Sequence, residues 1–496
     1  MKPIFIDFDN NSHESLYVQL YNYLKHGIVS GEIGSGERLP SLRELARQLG
    51  VSITTCSRAY DQLLVEGYIE AKPQSGYYVN DLEPGMRSQT AADLTAADTA
   101  SEAPSSQAET DRLYSEAGRS EKTDDVASGF SDSLAAAALA GITYYCDTEC
   151  FDFRKWRKCA AEVMTDRVEE LLLPADPQGE YALRQEIYRY LYTSRGVTAR
   201  PEQIVISAGV QQLTNHLARI LSYMKINLVN VEDPGYKPVR HIFRDRGFTI
   251  NKIPVGPDGI EIEKLPVNLA SAVYVSPSNQ FPTGSVMPAA RRYSLLRWAD
   301  ENGSIIIEDD YDSELRYFGD PVPALKSLDD HGCTVYLGSF SSTLFPAIRI
   351  SYMVLPDRLA GFFNAHKNDY DQTCSKIEQL TLASFMGRGL YQQGIRKVRK
   401  LYARKLALVI KSFREYGGDL AAAENTGSGI SVRLNVKTDK TAAELCKEAG
   451  SVKLHMIPFK DGSAPAASKR LIFYYDQIPK DAIEPAIQEL CATWAK

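Results

Sequence analysis

Cysteine is scarce: 496 residues contain eight. So sparse a set excludes a disulfide-built scaffold and fits reduced, structural thiols. Cys146, Cys150 and Cys159 lie closest together, and their spacing matches no zinc-ligand pattern, so no metal site is expected. Long hydrophobic runs are missing too, which excludes a membrane-spanning helix. The opening MKPIFIDFDNN lacks the pattern of a secretory leader. These absences together point to a cytoplasmic chain with no membrane partner. An excess of basic charge is also lacking, with a formal net charge of -7. A hydrophobic share of 44% and a charged share of 24% are ordinary for globular protein. The length is too great for one core and implies two or three domains.

Much of the negative charge is local. Residues 83 to 128 hold ten Asp/Glu against four Lys/Arg, a balance of -6. The run QTAADLTAADTASEAPSSQAETD is nearly devoid of aromatics and has too little apolar surface to order itself. Residues 83–130 are therefore read as a flexible acidic linker with a root-mean-square reach of roughly 35 to 40 Å.

The segment before it is organised. Leu16, Leu20, Leu24 and Ile28 recur at helical spacing up to Gly31. Ser41 opens S-L-R-E, a capping-box signature, and Leu42, Leu45, Ala46 and Leu49 follow on one face. Ser52 is placed to cap a third helix with Ala59, Tyr60, Leu63 and Leu64 inward. Two short strand-like runs, Tyr68 to Glu70 and Tyr77 to Val79, flank QSG. Three helices and a hairpin make a winged helix-turn-helix over residues 1–82.

LPSLRELARQLGVSITTCSRAYDQLLVEGYIEAKPQSGYYV resembles the GntR-family DNA-binding domain. That resemblance implies a double-stranded DNA operator, with the third helix in the major groove. Its leading Ser52, Thr54, Thr55, Ser57 and Arg58 then face phosphates or base edges, and Arg43 a phosphate. In the hairpin, Lys72, Gln74, Ser75 and Gly76 are the groove-edge candidates. Residues 1 to 80 carry seven Lys/Arg and nine Asp/Glu, so the usual basic footprint is absent. A dimer reading two half-sites compensates for weak single-site affinity; a winged helix repurposed for protein contact is the alternative.

From residue 131 onward, strands and helices alternate through IVISAG, NLVNVEDPGY, AVYVSPSNQFPTG, SIIIEDDYD and VYLGSF. Alternation of this kind means an α/β body with a largely parallel sheet and its site at the strand ends. IVISAG into VQQL is strand into helix, where free N–H groups can receive a phosphate; the segment resembles the I-T-x-G-x-Q-Q segment of class I/II aminotransferases, and that resemblance implies Gly209, Val210 and Gln211 as phosphate candidates. Tyr236 offers a ring to stack on a flat ligand. The loop SFSSTLFPAIR carries hydroxyls at Ser339, Ser341 and Ser342 and a cation at Arg349, a set suited to phosphate. A smaller α+β C-terminal unit ends the chain, dividing the body into a large part of about 170–365 and a small part of about 366–496.

SFSSTLFPAIR resembles the cofactor-lysine loop of fold-type I, class I/II aminotransferases, which hold pyridoxal 5'-phosphate. With the N-terminal segment, the chain is similar to the MocR-type regulators, a GntR branch. The resemblance implies that Asp309 pairs with the pyridine nitrogen, that Tyr311 donates to the 3-oxygen and that Asn279 approaches the same oxygen. It also implies that Arg470 grips the carboxylate of an amino-acid ligand. Asp310 and Asp312 are expected to form a solvated acidic turn. Where the family has its Schiff-base lysine, this chain has Ser342. A hydroxyl neither holds the cofactor covalently nor shuttles its proton at neutral pH. The expectation is therefore no catalytic residue and negligible transamination. A transcription regulator is read, its homodimeric body sensing pyridoxal phosphate, a related vitamer or an amino-acid adduct without a covalent link. An aminotransferase with an appended DNA-binding head and a scaffold with both sites dead are the other classes.

Overall fold

The computed structural model describes Ile6, Phe8 and residues 15–72, 75–81, 144–317, 323–424, 429–459 and 468–495. The linker expected at 83–130 lies outside them, as does Gln74. The described residues form two compact units, one within residues 1–119 with 287–298, the other within residues 120–286 with 299–496.

In the first unit three helices, α1 (Leu16–Val29), α2 (Leu42–Leu49) and α3 (Ile53–Val65), precede a hairpin. Ser41 Oγ accepts from the Glu44 N–H at 3.3 Å, which starts α2, and Gly50 ends it in the left-handed region that glycine tolerates. Ser52 Oγ accepts from the Thr55 N–H at 3.0 Å and starts α3. Leu20, Leu24, Ile28, Leu45, Ala59, Tyr60 and Leu63 interlock as the core, while Leu16, first of the expected stripe, stays exposed. Strands β1 (Ile69–Lys72) and β2 (Gly76–Val79) pair antiparallel, Ile69 against Val79.

The second unit is built on an eight-stranded sheet. Its strands are β3 (Ile204–Ser207), β4 (Leu228–Asp233), β5 (Thr249–Gly256), β6 (Gly259–Ile260), β7 (Ala272–Val275), β8 (Ile305–Asp309), β9 (Thr334–Ser339) and β10 (Ser351–Val354). The spatial order is β3-β10-β9-β8-β7-β4-β5-β6. Strands β5, β4, β7, β8 and β9 run parallel, whereas β10 is antiparallel to both β9 and β3. The central strands β4, β7, β8 and β9 are buried at every position except, in three of them, the last, as a sheet covered on both faces requires. A smaller antiparallel sheet follows, from β11 (Ala421–Glu424), β12 (Ser431–Lys437), β13 (Met456–Phe459) and β14 (Ser468–Tyr474), in the order β11-β12-β14-β13.

The turn after β8 departs from expectation. Asp310 and Asp312 are not solvated: they are 5% and 4% exposed. The reason for Asp310 is Arg195, itself 2% exposed, whose Nε and Nη2 grip its two carboxylate oxygens at 2.7 Å each. Tyr336 and Ser313 hydroxyls donate to the same carboxylate at 2.6 and 2.8 Å. Burial alone would raise the pKa of Asp310, but the guanidinium outweighs it and holds the carboxyl below its ordinary value. The pair fixes the turn to the helix Tyr181–Arg195.

Removing one member of a buried pair strands the other charge. Asp310→Ala is expected to destabilise the second unit by about 3 to 5 kcal/mol, and Ser313→Ala by about 1 kcal/mol. Urea unfolding followed by tryptophan fluorescence measures both.

Candidate functional site

The parallel strands of the large sheet deliver their C-terminal ends to one edge. Ser207 ends β3, Glu232 and Asp233 end β4, Asp309 ends β8 and Ser339 ends β9. Because β10 returns between β3 and β9, Ser351 is paired with both Ser207 and Ser339. Three serines thus stand side by side, with Ser351 Oγ donating to Ser339 Oγ at 3.0 Å. The Ser341 N–H and Ser339 Oγ are 3.3 Å apart, which folds the loop back on the strand end.

Gly209 precedes the helix Val210–Tyr223 and has φ +90°, a conformation that side chains rarely adopt. A Cβ there would lie 2.4 Å from Arg349 Nη2. Only glycine therefore lets the Arg349 guanidinium come this close to the start of the helix. Arg349 itself is left-handed, with φ +49°, and exposed. A guanidinium and the open N–H groups of a helix start, here those of Val210 and Gln211, are both positive and converge on one spot. Such convergence favours an anion. Thr373 was not singled out in the sequence; its hydroxyl sits 2.9 Å from Ser207 Oγ and accepts from the Ala208 N–H at 3.0 Å. It lies 166 residues from Ser207, so no local pattern could announce it.

Asp309 stands at the sheet's midline. Tyr274 donates to its Oδ2 at 2.5 Å. By area it is half-buried, yet protein surrounds it closely enough that burial pushes its pKa up to about 6, with Asp310 adding to the rise and Tyr274 opposing it. Glu232, behind it, accepts from the Ser276 N–H and Gln280 Nε2 at 3.3 and 3.1 Å, and burial pushes it up to about 8. Tyr236 is half-buried at the start of the helix Lys237–Asp245.

Asn279, Tyr311 and Asp312 line a crevice with Phe281, Gly429 and Arg433. Arg470 does not line it. It sits on β14 opposite Asn435, which places it on the sheet face that carries Arg433 two positions along β12. Arg433, which the sequence reading passed over, is paired with Glu424 at 2.9 Å. Ser342 is half-buried, and its hydroxyl and that of Tyr311 lie beside Asp312 and ease its ionisation. The sequence-derived residues of the second unit thus fall at strand ends or on this crevice, apart from Arg470. Among the described residues no cluster of His, Cys, Asp and Glu could hold a metal ion.

In the first unit the start of α3 is open. Ser52, Thr54 and Arg58 are exposed, and Thr55 and Ser57 half-buried. Several of these groups are engaged locally: Ser52 Oγ and Thr55 Oγ1 are 2.8 Å apart, and Ser57 donates to Asp61 at 3.2 Å. Arg58 lies 5.6 Å from the centre of the Tyr17 ring, a cation–π contact that limits its swing. Arg43 on α2 is exposed. In the hairpin, Lys72 pairs with Glu70 at 2.9 Å, Ser75 Oγ lies 2.7 Å from the Tyr78 hydroxyl, and Gly76 has φ +114°.

Residues 16–79 match the family model described as bacterial regulatory proteins, gntR family, and residues 143–460 match aminotransferase class I and II. The HTH-type transcriptional regulator YdeL of Bacillus subtilis is 37% identical over 97% of this chain and 96% of that protein. The probable rhizopine catabolism regulatory protein MocR of Rhizobium meliloti is 30% identical over 85% of this chain and 82% of its own length. The kynurenine aminotransferase of Pyrococcus horikoshii has the same fold as the second unit, with a TM-score of 0.61 at 23% identity, covering 77% of this chain and 98% of that one. No described helix is long and apolar enough to cross a membrane. The chain belongs to the MocR-type HTH transcriptional regulators, in which a gntR-family DNA-binding domain is joined to an aminotransferase class I and II domain.

Proposed function

We propose that this regulator binds a double-stranded DNA operator through α3 and senses pyridoxal 5'-phosphate, a related vitamer or an amino-acid adduct in its aminotransferase-like unit, without a covalent link. In this reading a winged head of residues 1–82 is tethered by residues 83–130 to a body of residues 131–496. The body forms a homodimer in the cytoplasm, and ligand binding biases the arrangement of the two heads.

The observation that carries the sensing half is the approach of Arg349 to the Gly209 turn at the end of the sheet. The residues present fit a phosphorylated pyridine. Arg349, the first N–H groups of the helix and the hydroxyls of Ser339 and Ser341 receive the phosphate. Asp309 faces the ring nitrogen, and a protonated pyridinium there would favour the charged carboxylate, lowering its pKa from about 6. Tyr236 supplies a stacking ring, and Tyr311 and Asn279 face the 3-oxygen. Arg470 takes a ligand carboxylate. When bound, the cofactor supplies an electron sink for amine chemistry. Ser342, at the position where the resemblance sets the lysine, offers neither the covalent anchor nor the proton shuttle that turnover needs. Regulation without transamination follows.

For the DNA half, the exposed Arg58 on α3 and Arg43 on α2 are the candidate cations. DNase footprinting on the upstream region of the protein's own gene, with and without pyridoxal phosphate, tests it. Arg58→Ala is expected to weaken a specific footprint by about 1 to 3 kcal/mol. An unchanged footprint contradicts a groove role for α3. Ser342→Lys tests the sensing half: with the cradle intact, the variant is expected to retain pyridoxal phosphate through denaturation after borohydride. A folded Ser342→Lys protein that retains none contradicts the cradle.

A further inference from the structure

The buried carboxylates at the sheet edge are provided for, with one exception. Asp310 has Arg195, Tyr336 and Ser313. Glu308 accepts from the Leu325 and Lys326 N–H groups at 2.7 and 2.8 Å. Asp309 has Tyr274. Asp312 is 4% exposed; the Ser342 and Tyr311 hydroxyls lie beside it, but neither of its oxygens meets a donor in full hydrogen-bond geometry. Among the described residues it is the only side chain with two such buried, unpartnered oxygens.

Its backbone is also unusual. Asp312 has φ +53°, and its carbonyl accepts from the Leu315 N–H at 2.9 Å, which locks the turn. The conformation turns the carboxylate into the crevice that Asn279, Tyr311, Gly429 and Arg433 line. A Cβ at Gly429 would lie 3.8 Å from Asp312 Oδ2 and 3.3 Å from Asn279 Nδ2, so a glycine keeps that side clear. Burial pushes its pKa up to about 7, and the carboxyls of Glu314 and Asp476 add to the rise, opposed by the Ser342 and Tyr311 hydroxyls. Two neighbouring hydroxyls cannot neutralise a buried carboxylate, which is unfavourable until a cation meets it. A divalent metal is a poor candidate, because no metal-holding cluster surrounds it among the described residues.

We propose that Asp312 is the counter-ion for a protonated primary amine carried by the ligand, so that the site selects an amine-bearing vitamer such as pyridoxamine 5'-phosphate. The inference rests on the reading of the site as a pyridoxal-phosphate-like cradle. In a chain with lysine at 342, the ammonium would come from the protein, on the residue whose hydroxyl now lies beside Asp312. With Ser342 the carboxylate remains and the cation does not, and the ligand has to bring it. Charge is then complementary at both ends: Arg349 and the helix start for phosphate, Asp312 for ammonium.

The test compares two compounds that differ at one substituent. Isothermal titration of the full-length protein at pH 8 measures pyridoxamine 5'-phosphate against pyridoxine 5'-phosphate, which has a hydroxyl in place of the amine. The wild type is expected to hold the amine at least about tenfold more tightly. Asp312→Asn, whose amide keeps the shape and tolerates the left-handed backbone, is expected to bring that ratio close to one. Equal affinities in the wild type, or an unchanged ratio in Asp312→Asn, overturn the assignment while leaving the cradle standing. Binding of neither compound by the wild type overturns the cradle reading and this one with it. If Asp312→Asn fails to fold by thermal melting, the wild-type ratio alone decides.

Discussion

Arg349 can reach the start of the helix Val210–Tyr223 only because residue 209 has no side chain. Both partners accept unusual backbone to meet, Gly209 at φ +90° and Arg349 at φ +49°. The contact joins β3 to the loop that links β9 and β10, and the antiparallel return of β10 makes that possible. Had β10 continued the parallel order, its start would stand at the opposite edge, and Ser351 could not sit between Ser207 and Ser339. The topology, more than any single residue, concentrates hydroxyls, open N–H groups and a guanidinium at one point.

Three acids within four positions have three separate fates, which shows how far environment decides chemistry. Asp310 is consumed by Arg195 and serves the fold. Asp309 keeps one donor and is free to answer a second charge. Asp312 has none that completes a bond. The same side chain is thus structural, receptive or unsatisfied according to what non-local neighbours provide.

Much of this was legible in the sequence, and the limits have a physical reason. The caps at Ser41 and Ser52, the 3.6-residue stripes and the turn glycines announced the winged helix, because those signals are local. The alternation of apolar runs with helical patterns announced the parallel sheet, and the glycine turn before VQQL announced the helix start. The acidic turn was misread because Arg195, 115 residues before Asp310, decides its burial. A run of acids on a loop looks solvated unless its distant partner is known. Thr373 and Arg433 escaped for the same reason: each reaches the site by tertiary packing and carries no motif of its own. Arg470 was found by resemblance, and its place two positions along the sheet from Arg433 is a matter of strand register.

The central claim is a cradle that holds a phosphorylated pyridine with no lysine to anchor it. The direct measurement is a titration of the purified full-length protein with pyridoxal 5'-phosphate, followed by absorbance, with borohydride reduction and denaturing separation at saturation. The account predicts saturable binding and no cofactor left on the denatured chain. A covalent adduct after reduction contradicts the lysine-free site, and the absence of any binding contradicts the cradle itself.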